Sequence, residues 1–424
     1  MKNFHCIHMK IKKLTLVLII ISLSSFTYFI DNAIVKDLFP FDFAQVVNIF
    51  YVFLLFSISL FGFLQVPKII KFLPLNVFLI LIIWITFISL FSNSPIEILP
   101  SFLRFYMYFL LALLSYNFLK VNGLVVFDKR MKTLTFVLFC IACAFGFFEA
   151  FFMDITFMNG AFRYSGSFLK HPLADSMFLA MVIILWFEYF VMPKRSFWNF
   201  LGLVLLFFLF INTHSRMPLV FLFFCFFMYY FLKEKRVIKF LRVVAGITIV
   251  LIGLYLLITR TEISPRLRTM VLSEKSFQDT STNTRFVIID NTISGMNTFE
   301  QVFGIGLGGF NNFYKEITGK SGVAAHNNFL LFFAEGGIIG LILFLFYQLV
   351  LIYTLFRFIR KTTVIESNIN HRRLIFISIF LFEFCSFLLN NYYFFTSQAI
   401  VFILMGLLIY LEINAREGSI NIVD

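Results

Sequence analysis

The chain has 424 residues, 60% of them hydrophobic and 13% charged, with a net charge of +13 and a mean hydropathy of +0.92. A soluble domain of that length cannot bury so much apolar surface, because polar residues ordinarily cover most of the outside. A nucleic-acid groove is also excluded as the reason for the charge: Lys and Arg cluster in short segments between apolar runs, the pattern of topogenic charge.

The 66 Phe fall mainly in nearly charge-free runs of about 17–25 residues, the length that crosses a hydrocarbon core roughly 30 Å thick. These runs are apolar on every face and lack the two-residue alternation of a barrel strand, so they read as helices. The fold class is therefore all-α, a polytopic membrane bundle of about twelve transmembrane helices with one large outer loop. The spans fall near 14–30, 43–64, 73–91, 102–119, 133–153, 173–192, 197–211, 217–232, 240–258, 328–356, 373–391 and 394–412. The first, Leu14–Ile30, follows Lys10, Lys12 and Lys13 like a signal peptide, but no small-x-small site follows it; it is read as a retained helix. His5 and His8 belong to the basic tail before it. Cys140 and Cys143 form a CxxC inside an apolar run with no partner pair, which reads as packing rather than redox or metal chemistry.

Alternate connections are basic: Lys68/Lys71, Lys120/Lys129/Arg130/Lys132, Lys194/Arg195, Lys233/Lys235/Arg236/Lys239/Arg242 and Arg357/Arg360/Lys361/Arg372/Arg373. The intervening ones are poor in Lys and Arg; Ser92–Ser101 has none. The positive-inside rule then puts both termini and the basic connections in the cytoplasm. Three regions follow: 1–258 with nine spans, an outer loop at 259–327, and 328–424 with three spans and a cytoplasmic tail. A loop of that length signals function. It carries seven basic and six acidic residues, and long loops are exempt from the charge rule. Within it, Asp279–Thr284 is rich in residues that cap helices, and Phe286, Ile289, Ile293 and Met296 recur at helical spacing. The pattern predicts an amphipathic helix over about 285–297, resting on the bundle or the membrane surface.

Topology gathers several polar residues at the outer surface. Arg163 lies in RYSGSF, Arg216 in NTHSRM, Arg285 in NTRF at the start of the loop helix, and His326 in AAHNNFLLFFAEGG just before span ten. Guanidinium groups form paired hydrogen bonds to phosphate oxygens, and the loop helix's amino terminus adds N–H donors, so together they suit a lipid-linked diphosphate. His326 stands beside Asn327 and Asn328, and its imidazole can take a proton near neutral pH from an attacking sugar hydroxyl. His171 and His214 are lesser candidates on the same side. Glu335 and Glu383 read as buried partners of polar groups. Gly304, Gly306 and Gly309 match GxGxxG by letters, but no βαβ unit surrounds them; they read as a tight turn or a close backbone approach.

Taken in order, RYSGSFLKHP at 163–172, THSRMPLVF at 213–221, TRFVIIDNTISG with FGIGLGGFNNFY across 284–314, and HNNFLLFFAEGGIIG at 326–340 resemble the O-antigen ligase/polymerase superfamily of bacterial envelope glycan assembly. The resemblance covers about 160–340. It implies a metal-independent membrane glycosyltransferase of GT-C-like architecture, without cofactor. Its donor would be an undecaprenyl-diphosphate-linked oligosaccharide, and its acceptor another lipid-linked glycan or lipid A–core. Arg216 and Arg285, with Arg163, would hold the diphosphate, and His326 would activate the acceptor hydroxyl. The His block favours a repeat-unit polymerase over a ligase, and a polymerase implies a chain-length regulator as partner. A transporter or flippase also fits twelve spans, but the polar residues here concentrate at one surface and no internal repeat is evident.

Overall fold

The computed structural model describes residues 16–22, 50, 53–54, 57, 72–91, 95–152, 156–158, 161–163, 172–213, 216–233, 280–320, 323, 325–360, 369–385 and 395–417. The spans expected at 14–30 and 43–64 lie largely outside the described residues, and that at 240–258 wholly outside, as does 259–279 of the loop. The described elements are overwhelmingly helical. Among them, four helices are long and apolar enough to cross a bilayer: Ser101–Ala144, Ala174–Val191, Asn328–Arg360 and Thr396–Asn414. Shorter apolar helices at Leu73–Ser89, Phe197–Ile211 and Pro218–Leu232 fill further expected spans.

In chain order the bundle begins with α1 (Leu73–Ser89) and α2 (Pro95–Phe152). Straight, 58 residues would overshoot any bilayer, but Gly123 at φ 76°, ψ 174° breaks the helix. Before the break, Ser115 Oγ donates to Ile403 O at 2.8 Å. Beyond it, Phe139 stacks on Trp186; the two arms coincide with the spans expected at 102–119 and 133–153. Cys140 and Cys143 stand free on the second arm, with Cys140 exposed rather than packed inside. A short antiparallel hairpin follows, β1 (Thr156–Met158) with β2 (Ala161–Arg163), a small departure from the all-helical expectation.

Next come α3 (Pro172–Trp186), α4 (Phe197–Asn212) and α5 (Arg216–Lys233). Helix α3 ends in a π-helical turn, Phe187–Val191. Asn199 closes the tight link to α4, its side chain donating to Phe190 O and Lys194 O at 2.7 and 2.8 Å. The loop supplies α6 (Thr280–Gly295), α7 (Thr298–Phe303) and α8 (Phe310–Thr318). The long α9 (Asn328–Arg360), α10 (Ile369–Cys385) and α11 (Phe395–Glu417) complete the chain.

Ring contacts fix directions. Phe221 meets Phe384 and Tyr229 meets Phe376, so α5 and α10 are antiparallel. Phe356 meets Phe376 while Tyr347 bonds Glu383, so α9 is antiparallel to α10 as well. The amino-terminal ends of α5 and α9 therefore share one end of the bundle. At the other end, residues flanking the basic connections meet. Arg373 pairs in a buried two-point contact with Glu188 on the π turn, His371 Nε2 lies 2.8 Å from Asp128, and Arg357 pairs with Glu412. Tyr347 and Gln348 both donate to Glu383, the buried partnership expected of that carboxylate.

Candidate functional site

The site end is organised by a break in α9. Gly337 adopts φ 65°, ψ −167°, which interrupts the helix and strips the carbonyls just before it of their usual donors four residues on. In a bilayer an unsatisfied carbonyl costs several kcal/mol, so each needs a substitute. The glycine run supplies two: Ile305 N donates to Ala334 O at 2.9 Å and Gly306 N to Glu335 O at 3.1 Å. Trp84 Nε1, from α1, donates to Gly336 O at 2.9 Å. Ser89 Oγ in turn accepts from Leu307 N at 2.6 Å.

Only glycine permits so close an approach. A Cβ on Gly304 would lie 2.4 Å from Glu335 O, and one on Gly337 2.1 Å from Val302 O. The GxGxxG letters thus mark a backbone plug in a helix break, the close approach expected from the sequence. Glu335 itself is buried at 1% exposure.

The plug carries the loop helices onto the bundle. Ile288 of α6, Phe310 and Tyr314 of α8, Ala325, and Leu330, Leu331 and Ala334 of α9 form one small apolar cluster. Arg285 is half-buried and lies one turn before Ile288; His326 is half-buried and directly follows Ala325. Arg285 and His326 are thus each close in sequence to a residue of that one cluster. Among the described residues His326 alone, apart from glycines, has a positive φ, 61°. A left-handed backbone at a residue with a side chain is costly, and such strain concentrates at functional positions. Arg216 opens α5 at the same end of the bundle. Arg163 closes β2, opposite Thr156 in register, in the link between α2 and α3. His171 and His214 lie outside the described residues.

Two expectations about the loop helix need correction. Helix α6 begins at Thr280, not 285, because the Thr/Ser/Asn run joins the helix instead of only capping it; Arg285 sits in the second turn, away from the helix's free N–H groups. Its inward face matches the expected stripe only in part: Met296 is buried and Ile289 packs on the cluster as expected, but Ile288 and Thr292 join them, while Phe286 and Ile293 are exposed at 65% and 46%. Thr292 can turn inward because its hydroxyl donates to Ile288 O at 2.6 Å.

Residues 201–345 match the O-antigen ligase family model. Over this stretch the chain is similar to that family, which supports the O-antigen ligase/polymerase resemblance. The matched segment runs from α4 through the break in α9, so Arg216, Arg285, His326 and the glycine plug all fall inside it, whereas Arg163 falls outside. No curated protein matches the chain. The match supports a membrane protein of O-antigen ligase or polymerase kind.

One cation escaped the sequence reading. Arg104 lies in the apolar stretch SFLRFYMYFL of α2, inside a helix apolar enough to span the membrane. The usable signal was an ionisable side chain within a span, which is expensive and seldom idle.

Proposed function

We propose that this chain is a glycosyltransferase that moves a glycan from undecaprenyl diphosphate to an acceptor sugar hydroxyl at the periplasmic face of the inner membrane. What supports the proposal is that Arg285 and His326 each lie next to the apolar cluster that seats the loop helices on α9, with Arg216 opening α5 at the same end of the bundle. His326, as a neutral base, takes the proton of the acceptor hydroxyl as its oxygen attacks the anomeric carbon. The carbon–oxygen bond to the diphosphate breaks with inversion, and the departing lipid diphosphate gains negative charge. Arg216 and Arg285 stabilise that charge, guanidinium forks matching phosphate oxygens. Arg163, one link away in sequence order, is a further diphosphate contact in this scheme.

The polymerase reading is favoured over the ligase, with a second lipid-linked repeat unit as acceptor and a chain-length regulator as partner; the support is the HNxxL…EGG form of the His block. In this scheme the end of the bundle with the basic connections is cytoplasmic and the His326 end is outside, as the positive-inside rule supports. A deletion strain's surface glycan profile tests the choice. Lipid A–core bearing a single repeat unit is the expected result. Bare core, with long chains left on undecaprenyl diphosphate, would make the protein the ligase.

A further inference from the structure

Helices α2 and α11 run parallel, and their facing stripes can be followed residue by residue. Tyr108 stacks on Phe402 with ring centroids 5.4 Å apart. Further along, a Cβ on Gly406 would lie 2.5 Å from Ala112 O, and Ser115 Oγ donates to Ile403 O. One turn before the Tyr108–Phe402 pair, the same two stripes present Arg104 and Gln398. The neighbouring Phe105 meets Phe332 of α9 at 6.0 Å. That level is about 6 Å along the bundle from the start of α9, taking four residues at 1.5 Å each. His326 lies just before that start.

Gln398 is 0% exposed, and among the described residues neither its amide nitrogen nor its amide oxygen finds a hydrogen-bond partner; nor does the Oγ of Ser397, 1% exposed. Buried polar atoms are normally satisfied, and an unpartnered one marks a place where a ligand group can be received. Arg104 Nε is buried at the same level. A guanidinium on one helix and an unpartnered carboxamide on the other, at one level of the bundle, present N–H groups that suit an acceptor-rich, negatively charged group.

We infer that Arg104 and Gln398 form the floor of the donor site, contacting the diphosphate of the isoprenoid substrate from the membrane side while Arg216 and Arg285 contact it from the outer side. This rests on the proposed transfer from a lipid diphosphate. The geometry suits that substrate, because its charged group must sit at the boundary while its tail remains in the hydrocarbon.

The test uses the full-length protein in phosphatidylcholine nanodiscs, titrated with fluorescent farnesyl diphosphate as the probe. Wild type is expected to bind it. Arg104→Ala is expected to weaken binding at least about tenfold, the scale of one charge-assisted hydrogen bond. Gln398→Leu, which keeps volume but removes both polar atoms, is expected to weaken it about threefold, on the scale of a neutral hydrogen bond. Arg104→Lys, which keeps the charge and fold, is expected to recover only part of the loss. Unchanged affinity in Gln398→Leu and Arg104→Lys overturns the floor alone. Phosphatidylglycerol displacing the probe as well as unlabelled farnesyl diphosphate overturns the assignment to the diphosphate, leaving a headgroup contact. Failure of wild type to bind the probe overturns this inference together with the transfer reaction on which it rests.

Discussion

The backbone plug between the loop and α9 can be tested by adding a single methyl group. Gly304 and Gly319 both have positive φ, 91° and 74°; Gly319, at ψ −2°, is left-handed helical, where Ala costs about 1–2 kcal/mol, whereas Gly304, at ψ 173°, lies where essentially only glycine goes, so Ala costs at least as much there. Their surroundings differ completely. A Cβ at Gly319 meets nothing within 4 Å, whereas at Gly304 it would meet Glu335 O at 2.4 Å and Gly336 N at 2.6 Å. These are backbone atoms, which cannot swing aside. Gly304→Ala must therefore push the loop off the break, losing the bonds from Ile305 N and Gly306 N and stranding two carbonyls. Stranded carbonyls cost about 1–3 kcal/mol each, so Gly304→Ala should cost roughly 2–6 kcal/mol more than Gly319→Ala. Thermal unfolding in detergent gives the difference, and hydrogen exchange at the Ile305 and Gly306 amides localises it. Equal losses for the two variants, with unchanged exchange at both amides, would refute the plug.

Other outcomes follow from the same geometry. His326→Asn should tolerate the left-handed backbone, which Asn adopts readily, yet abolish transfer on glycan ladders; retained activity would show that the turn and not the imidazole matters. Arg216→Ala and Arg285→Ala should express normally and lose transfer, and Arg285→Lys should restore little, because a point charge cannot form the forked pair. Glu188→Ala should strand the buried Arg373 and destabilise the protein by about 3–5 kcal/mol, with the matching Arg373→Met change recovering part of that in thermal unfolding. Transfer should continue in the presence of a divalent-metal chelator; loss in chelator with recovery on adding magnesium would contradict the proposed mechanism.

Hydropathy located the helices well because a span must be both long and apolar. The expected 197–211 and 217–232 correspond to Phe197–Asn212 and Arg216–Lys233, and the start of span ten falls at Asn328 as read. The break at Gly337 was not legible. In a segment apolar on every face, periodicity is blind to a turn in the backbone, and the donors that satisfy the freed carbonyls come from Trp84 and the 305–306 amides, remote in sequence. The same remoteness hid the Glu188–Arg373 pair, 185 residues apart. The α6 stripe was partly misassigned because threonine counts as polar in a pattern, although its hydroxyl can be satisfied within its own helix and then be buried. Of the candidate site, His326 and Arg285 could be picked out as residue types beside a long loop, but the Ile288–Ala325 cluster that ties their two segments together is revealed by no spacing.

Reconstitution decides the central claim most directly. Purified protein in liposomes, supplied with lipid-linked repeat units, should yield longer lipid-linked glycans and release undecaprenyl diphosphate in step, and the His326→Asn variant should yield neither. Elongation by that variant at the wild-type rate would contradict the account.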